Sequence, residues 1–93
     1  MELKEVRQEI NLLDQELVQL LEKRMTLVED VVSYKKENAM PILDAQREME
    51  VLDFVAGAIH HKEYEQTILE IMHAVLKTSR EYQARLMAKD EHD

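Results

Sequence analysis

Residues 3–37 read LKEVRQEINLLDQELVQLLEKRMTLVEDVVSYKKE. Apolar side chains recur in this stretch at Leu3, Val6, Ile10, Leu13, Leu17, Leu20, Leu27, Val31 and Tyr34. The steps alternate between three and four residues, with one break of seven between Leu20 and Leu27. That is the seam of a long helix built to pack against other helices. At 1.5 Å per residue such a helix is a rod about 50 Å long. A compact chain of 93 residues has a radius of gyration of only about 12 Å. Two shorter helices of the same chain therefore cannot cover the rod, and a second copy is the simplest cover. The sequence predicts an all-α fold, with one long and two shorter helices per chain, assembled as an intertwined helical homodimer.

Working outward, Asn38-Ala39-Met40-Pro41-Ile42-Leu43 breaks the pattern. Asn38 can close a helix, and Pro41, lacking an amide proton, cannot continue one. Asp44 is a good N-cap for a second helix over about 45–59, with Leu52, Val55 and Ile59 on its apolar face. Gly57 and the following His60-His61-Lys62 suggest a turn. A third helix is expected over about 63–87, carrying the stripe Ile68, Met72, Val75, Tyr82 and Leu86, with residues 88–93 as a frayed acidic tail. The whole of 1–93 reads as one free-standing domain.

Composition narrows the function. One Gly and one Pro in the chain cannot supply the turns of a sheet protein or a glycine-rich phosphate loop. The absence of Cys excludes disulfides and thiolate metal sites. A net charge of −8 argues against nucleic acid or an anionic membrane as partner. No basic segment followed by an apolar run opens the chain, and no uncharged run is long enough to span a bilayer, so a cytoplasmic location is expected. His60-His61 are adjacent in a turn and lack an evident third ligand, so no metal is expected.

Polar residues occupy positions where the apolar stripes require hydrophobic ones. Arg24 fills the break between Leu20 and Leu27, Glu48 lies four residues before Leu52, and Ser79 interrupts the third stripe, with Gln83 one turn on. An unpaired buried charge is expensive, so an internal Arg24–Glu48 pair is one reading. Four such residues on three helices favour the other, a polar pocket inside a helical bundle. Lys35 shares a face with Arg24, and Arg47 opens the second helix beside Glu48 and near Asp44; taken singly, Lys35 and Arg47 also fit a solvated face. Together they make a locally cationic pocket in an acidic chain, suited to a small anionic ligand. Arg7 flanks the seam at Val6, where charges commonly select a partner helix. It is 28 residues from Lys35, about 42 Å along one helix. If Arg7 serves the pocket, the partner subunit supplies it.

These residues, in this order, resemble the all-helical (type II) chorismate mutases. The likeness covers Leu3 to about Leu86. It rests on Val6-Arg7-Gln8-Glu9-Ile10-Asn11-Leu12-Leu13-Asp14, Leu20-Leu21-Glu22-Lys23-Arg24, Lys35, Pro41-Ile42-Leu43-Asp44-Ala45-Gln46-Arg47-Glu48, and Ser79 with Gln83. The resemblance implies an interlocked dimer with two equivalent sites that rearranges chorismate to prephenate, on the branch toward phenylalanine and tyrosine. It implies that Arg24 and the partner's Arg7 hold the two substrate carboxylates. Lys35 would contact a carboxylate and the ether oxygen of the breaking bond, and Gln83 would donate to that oxygen. Glu48 would accept from the ring hydroxyl, supported by Asp44; Ser79 would bond the ligand, and Arg47 would order the carboxylates or the acidic residues. A unimolecular rearrangement needs no nucleophile, metal or redox cofactor, and none is expected. Two other functions fit parts of the pattern. An isochorismate pyruvate lyase could use the same cage, because both substrates are dicarboxylates with an enolpyruvyl ether. A non-enzymatic helical dimerisation module would explain the heptads but not Arg24, Glu48 and Ser79.

Overall fold

The seam forms a helix of the expected length. The computed structural model describes residues 1–91, in which α1 runs Leu3–Glu37, α2 Ala45–Ala58 and α3 Glu65–Glu91. The described residues contain no strand.

α1 ends through its backbone. Asn38 is the C-cap, and its side chain also donates to the Tyr34 carbonyl at 2.9 Å. The left-handed residue is the next one, Ala39, at φ 52°. Ala39 N donates to Lys36 O at 3.3 Å and Met40 N to Lys35 O at 2.8 Å, the paired bonds of a Schellman motif. Pro41 follows where no further helical bond is required. α2 then starts at its expected cap, with Asp44 Oδ1 accepting from Arg47 N at 3.0 Å.

The later boundaries differ from the sequence reading. Gly57 lies inside α2 near its end, between Ala56 and Ala58, strong helix formers that carry a lone Gly at a cost of about 1 kcal/mol. α2 closes at Ala58, and a single 3-10 turn over Lys62–Tyr64 precedes α3 at Glu65. The expected frayed tail is also corrected. α3 continues to Glu91, with the good helix formers Ala88 and Lys89 in its last turns. His92 and Asp93 lie outside the described residues.

α3 is the central element. It packs against both α1 and α2, which share no comparable packing with each other. Tyr82 Oη also ties α3 to α1, donating to Glu29 Oε2 at 2.9 Å. That bond, with desolvation and the Glu29 charge, holds the phenol above its usual range, against a smaller opposing pull from Arg85. The apolar core is small: among the described residues Val28, Val32 and Leu76 are buried. Most of the α1 seam is uncovered, with Leu13 62%, Leu20 61% and Leu27 64% exposed. The chain is accordingly long and thin, 54 × 27 × 15 Å, with a radius of gyration of 16.6 Å.

Candidate active site

Where α1, α2 and α3 converge they enclose a cleft of about 280 Å³, near the lower end of small-molecule sites. Seven of the eight residues singled out by the sequence line it. Arg24 and Lys35 come from α1, Asp44, Arg47 and Glu48 from the start of α2, and Ser79 and Gln83 from α3. Leu27, Val28, Val31, Val51 and Leu76 form its apolar wall. Arg7 does not line the cleft; it sits exposed on the first turns of α1, about 26 Å along the helix from Arg24.

Each helix contributes for a local reason. Arg24 breaks the seam of α1 and turns inward, where its Nη1 donates to Ser79 Oγ at 2.8 Å. Ser79 is buried at 4% exposure, so its partner must come from within the bundle. The Schellman turn brings Ile42 back over the end of α1, and Lys35 Nζ donates to the Ile42 carbonyl at 2.6 Å. The same ammonium donates to Gln83 Oε1 at 3.3 Å. Two of its three donors are thereby used, and the third is available to the cleft. Gln83 is buried at 8% exposure. Its oxygen is held by Lys35, and among the described residues nothing accepts from its Nε2. The amide nitrogen is therefore the end free to donate. Asp44 is committed to capping α2. Arg47 lies at the rim, 68% exposed and 3.8 Å from Glu50.

The internal Arg24–Glu48 pair does not form. α1 and α2 do not pack on one another, so each polar residue finds its partner on α3. Arg24 takes Ser79, and Glu48 Oε1 accepts from Arg80 Nη1 at 2.5 Å. Arg80, which also lines the cleft, is the functional candidate missed by the sequence reading. The signal was its place beside Ser79 and three residues before Gln83, on the same side of one helix. With it the cleft holds four cations, Arg24, Lys35, Arg47 and Arg80, against the carboxylates of Asp44 and Glu48. The surplus is positive in a chain of net charge −8, which suits an anionic ligand bearing carboxylates.

Other candidate chemistry is less developed. Among the described residues no group of three or more His, Asp or Glu is placed to hold a metal ion. None of their helices is long and apolar enough to cross a membrane.

No solved structure matches the chain. The T-protein of Haemophilus influenzae is 44% identical over 50 residues, which are 54% of this chain and 13% of that protein. The chain thus spans a small part of that relative. The model of the family described as "Chorismate mutase type II" matches residues 6–84. That match takes in the heptad seam of α1, the capped start of α2 and the Ser79–Gln83 turn of α3, and by it the chain belongs to the chorismate mutase type II family, a family of isomerases.

Proposed function

We propose that this chain rearranges chorismate to prephenate by holding the substrate in a reactive conformation inside the cationic cleft. In that reaction an ether C–O bond breaks as a C–C bond forms within one molecule. Nothing is transferred to the protein, so the protein supplies orientation and donors for the charge that develops on the ether oxygen. Arg24 and Arg7 of a second copy hold the two carboxylates. Lys35 gives its remaining donor to the ether oxygen and a carboxylate, and the Gln83 amide nitrogen donates to the same oxygen. Glu48 accepts from the ring hydroxyl, Ser79 keeps Arg24 in place and bonds the ligand, Asp44 fixes the turn that presents Glu48, and Arg47 closes the rim over the carboxylates.

The observation that carries this reading is the pair Lys35–Gln83. A buried amide whose oxygen is already engaged, next to an ammonium with a donor to spare, is a two-donor clamp for one developing oxyanion. Removal of a single donor of this kind costs about 10²–10³ in kcat.

The active form we propose is an intertwined homodimer in the cytoplasm, with two equivalent sites. The exposed seam of α1 supports it, since Leu13, Leu20 and Leu27 would otherwise stay in water. So does the reach of Arg7, which its own cleft cannot use. The test is a spectrophotometric assay of the purified chain, with chorismate and isochorismate supplied separately. Chorismate is expected to be consumed with prephenate as product. Faster turnover of isochorismate with release of pyruvate, or no turnover of chorismate by a folded dimer, would overturn the reading.

A further inference from the structure

Glu48 presents a difficulty for a site that takes a dicarboxylate. A bare carboxylate in the cleft repels the ligand whose hydroxyl it is meant to accept, and either of its oxygens could turn toward that hydroxyl. The cations around it are mostly committed elsewhere. Arg24 is bonded to Ser79, Lys35 to Ile42 and Gln83, and Arg47 leans toward Glu50. Arg80 alone among these four bonds Glu48, reaching from α3 to α2 with the two side chains 34% and 23% exposed. Its Nη1 takes Oε1, which leaves Oε2 to accept from a ligand.

We infer that Arg80 is a positioning residue for the reaction: its ion pair offsets the charge of Glu48 toward a dianionic ligand and fixes which carboxylate oxygen meets the ligand's hydroxyl. The inference rests on the chorismate reading above. The placement of α3 explains why Arg80 has this role. Ser79, Arg80 and Gln83 lie within two turns of one helix, and each holds a residue of α1 or α2 in a defined orientation. α3 is thus a rail that sets the donors and acceptor of the other two helices. A purely structural role, fastening α2 to α3, makes a different prediction: Arg80 would matter for melting temperature and not for the kinetics of folded protein.

The test uses the full chain, assayed with chorismate well below the melting temperature of each variant. The set is wild type, Arg80→Leu, Arg80→Lys, Glu48→Gln and the Arg80→Leu/Glu48→Gln double variant. Arg80→Leu is expected to raise KM and to lower kcat/KM about tenfold. Arg80→Lys should recover most of the KM, because it restores the charge, but less of kcat, because a point charge orients a carboxylate less well than a guanidinium. The double variant should show a lower KM than Arg80→Leu, since a neutral amide at position 48 no longer repels the ligand. If Arg80→Leu does not fold, Arg80→Gln carries the same expectation for KM. An active wild type with Arg80→Leu kinetics equal to its own, or with the two substitutions simply multiplying, would overturn the role of Arg80 alone. A folded wild type inactive on chorismate would overturn the functional reading and this inference with it.

Discussion

Gln83 is a neutral donor in a place where an acid could also have stood. Its amide nitrogen donates at any ordinary pH, so activity on chorismate should stay level from pH 5 to 8. Gln83→Glu can donate to the ether oxygen only when protonated; a carboxylate there would repel it. The variant should therefore be active on the acid side and lose about 10²–10³ in kcat as pH rises to neutrality. A pH–rate profile settles the point: a wild type that collapses between pH 5 and 7, or a Gln83→Glu variant as level as wild type, contradicts the role. The residues of this site were legible to different degrees. Arg24 and Ser79 stood out because each interrupts an apolar stripe, Glu48 because it continues one back from Leu52, and Gln83 because it lies one turn beyond Ser79. Arg80 did not, because it sits beside the stripe, where an Arg reads as one more solvated charge. The partners that Arg24 and Glu48 take were not legible either. Which helix lies between the other two is a tertiary fact, and α3 between α1 and α2 gives each of these residues a different partner.

At the scale of elements, the helices followed from local rules and their ends followed in part. The heptad steps fixed α1 from Leu3 to Glu37, and Asp44 before Ala45 fixed the start of α2. Asn38 closes α1 as its C-cap, its side chain bonding the Tyr34 carbonyl, and the left-handed residue is the next one, Ala39. Gly57 lies one residue before the end of α2, close to the place where glycine commonly terminates a helix yet still an interior residue. Its surroundings give a direct prediction. A Cβ built at Gly57 meets nothing within 4 Å, so Gly57→Ala relieves the backbone-entropy cost without a clash. The variant should be about 0.5–1 kcal/mol more stable, read as a higher melting temperature with kcat/KM unchanged. A lower melting temperature would mean that another surface packs against this face of α2.

At the scale of the whole molecule, the chain does not close on itself. A radius of gyration of 16.6 Å exceeds the roughly 12 Å of a compact chain of this length, and the excess is the uncovered half of α1. The need for a cover was legible in the sequence from length alone: a rod of about 50 Å in a chain of 93 residues. The sign of the pocket was legible from residue types, as a small positive cluster inside a chain of net charge −8. What length and charge could not reveal is that Arg24 and Lys35 would be held from α3, by Ser79 and Gln83. The central claim is that two copies of this chain build a chorismate-rearranging site together, Arg7 from one and Lys35 from the other. Subunit complementation tests it most directly. Arg7→Ala and Lys35→Ala are each expected to be dimeric, helical and nearly inactive, because each homodimer lacks one residue at both sites. When the two variants are unfolded together in equal amounts and refolded, half of the dimers should be mixed, each with one intact site. Chorismate consumption should then return to about a quarter of the wild-type rate, as two-fold symmetry requires. Mixed dimers that form and remain as inactive as their parents, beside an active wild type, would contradict the shared site.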